Sequence, residues 1–135
     1  MEALTTCEIA ESNGERTLVR IQQLFAGVAV ADYESALVWY TRFFGREPDI
    51  TVADNESMWQ VAAARWIYVV GDASRAGKAL LTLLTDDLAA HVAELQGRGL
   101  AVGALDSAPG RYHRVVLTDP EGNMITLGEL LGAGG

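Results

Sequence analysis

A single cysteine, Cys7, leaves no partner for an intrachain disulfide, so packing rather than covalent staples must hold this chain together. Histidine is almost as scarce, with only His91 and His113 in 135 residues. Basic residues are outnumbered: Lys and Arg total 10 against 18 Asp and Glu, a net charge of -8. Phosphate recognition needs a basic surface, so this balance argues against nucleic acid and against an anionic membrane, and it favours solubility. No apolar run approaches the ~20 residues of a bilayer span. The opening Met1-Glu2-Ala3-Leu4-Thr5-Thr6-Cys7-Glu8 lacks the basic start and apolar stretch of a signal peptide, and the sequence therefore predicts a cytoplasmic protein. Common catalytic signatures are missing as well. There is no Gly-x-Ser-x-Gly elbow. Gly97-Arg98-Gly99 closes a helix where a dinucleotide fingerprint would open one. Cys7 has no neighbouring His to activate it as a nucleophile.

What remains is a chain that is 50% hydrophobic, enough for one globular domain with a single core. Residues 1–20 are polar and carry the turn signal Ser12-Asn13-Gly14; they read as an extension, with a weak edge strand over Thr17–Ile21. Residues 21–135 form the domain. Leu24–Val30 reads as a buried strand. Asp32 is placed to cap a helix that runs to about Phe44, with Tyr33, Leu37, Tyr40 and Phe44 on one face, Gly45 to end it and Pro48 to forbid continuation. Short strands are expected near 49–53, 58–63 and 66–70. A loop over Gly71–Lys78 follows, and then the pattern restarts. It brings a strand over Ala79–Thr85, a helix capped by Asp86 or Asp87 and running to about Arg98, and strands near 101–105, 112–118 and 123–129.

The restart is an internal repeat. A shift of 55 positions lays Asp32 on Asp87, Tyr33 on Leu88, Leu37 on Val92 and Tyr40 on Leu95. Each half, about 22–71 and 79–129, reads strand-helix-strand-strand-strand.

The repeat, the stretches Val28-Ala29-Val30-Ala31-Asp32, Ala36-Leu37-Val38-Trp39-Tyr40 and Phe44-Gly45, and the closing turn Asp119-Pro120-Glu121-Gly122-Asn123 resemble the vicinal oxygen chelate superfamily of glyoxalases, extradiol dioxygenases and bleomycin-resistance proteins. The resemblance covers roughly residues 22–129. It implies an α+β fold: two tandem βαβββ modules whose mixed sheets curl into a cup, with the helices outside. With strand residues alternating between faces, Leu24, Val28, Val30, Ile67 and Val69 are expected to pack on helices. Phe25, Gly27, Ala29, Trp66 and Tyr68 are expected to face the cup, joined by Leu80, Thr82 and Leu84 and by Met124 and Thr126.

Metal-dependent members of this superfamily hold a divalent ion in the cup with two ligands from each module, and such ions take His, Glu or Gln donors. Carried onto this chain, the four positions are Phe25, Tyr68, Leu80 and Thr126. Their neighbours Leu24, Ala26, Ile67, Val69, Ala79, Leu81, Ile125 and Leu127 offer no His or carboxylate either. The reading is therefore a protein with no metal and no cofactor. Phe25, Trp59, Trp66 and Tyr68 are candidates for an aromatic lining, with Leu80, Thr82, Met124 and Thr126 opposite and His113 and Arg114 on a polar rim. Aromatic walls suit planar or cationic molecules, and the acidic balance favours a cation. Small-molecule binding of the bleomycin-resistance kind is the leading expectation. Two alternatives stay open: a lyase, isomerase or dioxygenase with an atypical site using His113 or Tyr68, and a structural or regulatory dimer with a filled cup. The resemblance also implies a homodimer, with Trp39 and Phe43 as candidate contacts. His91 is expected on a solvated helix face.

Overall fold

The structure is a computed structural model, and it describes residues 20–132. The first module comprises β1 (Leu24–Val30), α1 (Tyr33–Phe44), β2 (Ile50–Ala53), β3 (Glu56–Ala62) and β4 (Arg65–Gly71). After a short 3-10 turn over Ala73–Arg75, the second comprises β5 (Leu80–Leu84), α2 (Leu88–Gly97), β6 (Asp106–Ala108), β7 (Tyr112–Thr118) and β8 (Met124–Leu130). Each module carries its own four-stranded mixed sheet, ordered β1-β4-β3-β2 and β5-β8-β7-β6. In both, the first and last strands of the module lie parallel and the remaining pairs antiparallel. The expected two βαβββ modules are present, but the sheets remain two separate ladders and are not strongly curled.

Local chemistry explains the helices. Asp32 accepts the Ser35 N–H at 3.2 Å and the Ser35 hydroxyl at 2.8 Å. These bonds, led by the backbone one, hold its carboxyl below the ordinary range. Asp87 accepts the Ala90 N–H at 3.1 Å, so it is Asp87 rather than Asp86 that caps α2. Gly45 ends α1 in the left-handed conformation at φ 76°, which glycine adopts without a Cβ penalty. The repeat equivalents Tyr40 and Leu95 are both fully buried.

One element differs from expectation. Residues 101–105 form no strand; the Gly103 N–H bonds to the Val116 carbonyl at 3.0 Å, and the ladder begins only at Asp106. A Cβ on Gly103 would lie 2.8 Å from that carbonyl, so the chain crosses β7 closely there instead of running along it. The expected edge strand over Thr17–Ile21 lies mainly outside the described residues, and Arg20 and Ile21 are not in a strand.

The two modules share one core. Val28, Val30, Ile67, Val69 and Trp59 from the first sheet, Val115, Leu117, Ile125 and Leu127 from the second, and Tyr40, Phe43, Leu88 and Leu95 from the helices form a continuous cluster. The Asp119–Asn123 turn ties it together. The buried Asp119 carboxylate accepts from the Tyr40 hydroxyl at 2.7 Å, from the Asn123 side chain at 2.8 Å, and from the N–H groups of Glu121 and Asn123 at 2.8 and 2.9 Å. Asn123 donates to the Ala29 carbonyl at 3.1 Å and accepts the Ala79 N–H at 2.8 Å. The turn thus grips the end of β1, the middle of α1 and the start of β5 together. Arg98, just past α2, donates to the carbonyls of Arg42 and Phe43 at the end of α1. Among the described residues, no helix is long and apolar enough to cross a membrane.

Candidate functional site

Each sheet has one face on the core and one face left open. On β1, Val28 and Val30 are buried while Phe25 is 48% exposed. The β4 strand alternates likewise: Ile67 and Val69 are buried, Trp66 and Tyr68 half-buried on the open side. Phe25 and Trp66 are direct neighbours in the parallel ladder, and their rings stack at 6.0 Å and 13°. Gly27 stands opposite Tyr68. A Cβ at Gly27 would fall 2.4 Å from the Tyr68 ring, so the glycine is what allows that ring to lie flat on β1. Met58 and Gln60 extend this face as partners of Tyr68 and Trp66. On the second sheet, the open face is built from Leu80, Thr82 and Leu84 on β5, Met124 and Thr126 on β8, and Arg114 on β7. Leu80 is 79% exposed there.

Between the edge strands β1 and β5 lies a cavity of about 850 Å³. The loop leading into β5 meets β1 near one end, where the Gly77 N–H bonds to the Ala29 carbonyl at 3.3 Å. Leu24 and Ala26 on β1 and Leu80–Leu84 on β5 line the cavity. Phe43 and Phe44 at the end of α1 and His91 on α2 reach it, as do Trp66, Leu81 and Leu83. Its ionisable lining groups are Arg46, Arg65 and His91; no Asp or Glu lines it. Arg46 is pinned by Asp49 at 2.9 Å and by the Gln60 carbonyl at 2.6 Å. That arginine, followed by the Gln60 N–H, holds the Asp49 carboxyl below its ordinary range. Arg65 bonds only the Ala63 carbonyl, at 3.4 Å, and has no ion-pair partner among the described residues.

Of the candidate residues, Trp66, Leu80 and Thr82 line this cavity. Phe25, Tyr68, Met124 and Thr126 lie on the open faces and do not line it. Trp59 points the other way. It pairs with Ile67 on the core side of β3, is fully buried, stacks on Phe44 at 4.9 Å and donates its indole N–H to the Arg46 carbonyl at 3.0 Å. His113 also faces the core side, as the cross-strand partner of Glu129, and bonds the Ser107 hydroxyl at 2.6 Å. Arg114 is on the open face but is paired with Asp106 at 2.7 Å and lies over the Tyr112 ring at 5.1 Å. Phe43 is buried at 3% exposure beneath Trp39, so it cannot form a dimer contact; the expectation for that residue fails because the aromatic cluster closes over it. His91, expected in solvent, is half-buried and lines the cavity. Sequence reasoning did not single out Phe44, Arg46, Arg65 or His91 as lining groups. Nothing local marks them, since three of them sit at or beyond the ends of elements.

The positions that the resemblance assigns to a metal do not fit one. Phe25 and Leu80 carry no donor atom, and the Tyr68 ring is laid over Gly27. Thr126 offers only a neutral hydroxyl. Among the described residues, no three His, Cys, Asp or Glu side chains stand together where an ion could be held.

Comparison with known proteins agrees with this geometry. No protein-family model and no curated protein matches the chain. Among solved structures, the chain is similar to a glyoxalase/bleomycin resistance protein from Catenulispora acidiphila DSM 44928, with 34% identity over 82% of this chain and 99% of that one and a TM-score of 0.78. It is also similar to TnmS3, an antibiotic binding protein from Streptomyces sp. CB03234, at 27% identity over 84% and 97% of the two chains and a TM-score of 0.64. A lactoylglutathione lyase from Agrobacterium tumefaciens shares the fold, at 17% identity over 78% and 91% and a TM-score of 0.65.

Proposed function

The chain belongs to the glyoxalase/bleomycin resistance family of the vicinal oxygen chelate superfamily, and on that premise we propose that it binds a small planar molecule without a resident metal. The observation that carries this reading is the 850 Å³ cavity with Trp66 on its wall. Its volume falls within the roughly 300–1,000 Å³ of ordinary ligand sites, and its lining is mostly apolar with a few polar groups, the usual composition of such sites. The similarity to an antibiotic binding protein supports a ligand of drug-like size. The lack of any His or carboxylate at the four metal positions supports binding without an ion.

Titration of planar antibiotics into the purified protein, followed by tryptophan emission, tests this reading. At least one compound is expected to saturate the signal. Trp66→Ala is expected to weaken that compound by about three- to tenfold, the value of one aromatic stacking contact of about 0.5–1.5 kcal/mol. An unchanged affinity in Trp66→Ala would sink the aromatic wall.

The open faces also support a homodimer. Leu80, Leu84, Phe25 and Met124 are 79%, 59%, 48% and 42% exposed, apolar surface that a second copy would cover. Sedimentation at micromolar concentration is expected to give twice the 14.5 kDa chain mass. A monomer at all concentrations, unchanged by Leu80→Glu, rules the dimer out.

A further inference from the structure

We infer that the ligand is an aromatic acid: a planar ring system carrying one carboxylate or phenolate, its ring among the apolar lining groups and its negative charge at Arg65. This rests on the cavity reading above and narrows it. The chain as a whole is acidic, with 18 Asp and Glu against 10 Lys and Arg. On that balance a random patch of surface should hold more carboxylates than cations, and a cationic ligand follows from the total. The cavity reverses the total. Its ionisable groups are Arg46, Arg65 and His91, and no carboxylate lines it.

The arginines differ in what they have left to offer. Arg46 spends its charge on Asp49 and a hydrogen bond on the Gln60 carbonyl. The arginines of the other ion pairs are likewise matched: Arg75 with Asp72, Arg98 with Glu94, and Arg114 with Asp106. Arg65 lines the cavity with a single bond to a backbone carbonyl at 3.4 Å and no ion pair among the described residues. A guanidinium has five donors in a planar fork that matches a carboxylate, so Arg65 keeps most of its capacity for an anion. By the alternation of β4 it shares the face of Ile67, which lines the cavity together with Phe43 and Phe44. A flat acid could therefore place its ring against the apolar groups on that face of β4 and its charge at Arg65. A cation in the same place would meet Arg65 and Arg46 with no carboxylate among the lining groups.

Three probes with one ring system separate the possibilities: 2-naphthoate, 2-naphthalenemethanol and 2-naphthylmethylammonium, titrated calorimetrically into the full chain at low and high salt. The expected result is naphthoate binding at least about fivefold tighter than the alcohol, the upper range of a solvent-accessible ion pair, with the ammonium weakest and the preference shrinking in high salt. Arg65→Gln should erase the difference between acid and alcohol; Arg65→Lys should keep part of it. Equal affinities, or a preference for the ammonium, overturn the acid assignment and leave the binding cavity standing. Binding of none of the three, with no quenching by any planar antibiotic, overturns the cavity reading as well. A preference that survives Arg65→Gln but disappears in Arg46→Gln overturns the choice of arginine.

Discussion

Asp119→Ala is expected to destabilise the protein by about 3–5 kcal/mol, the range for removing one member of a buried, fully hydrogen-bonded polar cluster. For a domain of this size that is a fall in Tm of roughly 10–20 °C. The reason lies in what the substitution leaves behind. Asp119 is 3% exposed and accepts four hydrogen bonds. Its loss strands the Tyr40 hydroxyl and one Asn123 amide proton in the core between modules. Tyr40→Phe removes one donor without creating an orphan of its own and should cost only about 1 kcal/mol. The pair also predicts a pH dependence. Burial first, and then the hydrogen bond to Asp119, push the Tyr40 phenol well above its ordinary value. The unfolded tyrosine loses its proton near pH ~10, whereas the folded one keeps it. The contribution is therefore complete below that pH and declines as pH rises beyond it. Urea midpoints measured from pH 8 to 11 should fall more steeply in the natural protein than in Tyr40→Phe. Parallel profiles, or a loss below about 1 kcal/mol in Asp119→Ala, would show that the turn is not the clamp between modules.

Trp59→Ala is expected to cost about 3–5 kcal/mol, as for other fully buried large-to-small changes. It opens a void beneath Phe44 and Tyr40, whose ring centroids lie 4.9 and 6.4 Å away, and leaves the Arg46 carbonyl without its indole donor. Trp66→Ala should stay within about 1 kcal/mol of the natural stability. Its ring is only half-buried, against Phe25, and its indole N–H reaches Gln23 in an exposed contact at 3.2 Å. Chemical denaturation of both variants, beside the ligand titrations above, separates the two tryptophans: Trp59 is expected to matter for the fold and Trp66 for the proposed ligand. Similar stabilities for the two variants would mean that β3 lies with its opposite face inward.

That contrast marks how far the sequence could be read. Asp32, Asp87 and Gly45 announced both helices, because capping is a contact between residues three or four apart and needs nothing from the rest of the molecule. The 55-residue repeat and the Asp119–Asn123 turn carried the two-module fold for the same reason, since turn chemistry and hydrophobic period are local. Trp59 was not legible. Period two divides the strand into two faces but does not name the inner one; the pairing of Trp59 with Ile67 and its stack on Phe44 do that. His91 and Phe43 changed places with expectation for a like reason. A helix face becomes buried or open according to what packs against it.

By itself, then, the sequence determined the element order, the repeat, the caps and the lack of any His or carboxylate at the family's metal positions, all of which depend on residue type and short spacing. Only the tertiary structure decided that the closing turn clamps α1 through Tyr40 and Asp119, which are 79 positions apart. It alone decided that Trp66 rather than Trp59 faces the cavity. It also decided that an acidic chain surrounds its cavity with arginine and histidine. Net charge is a sum over the whole surface, whereas a ligand answers to the few side chains within reach, and which few those are is settled by packing.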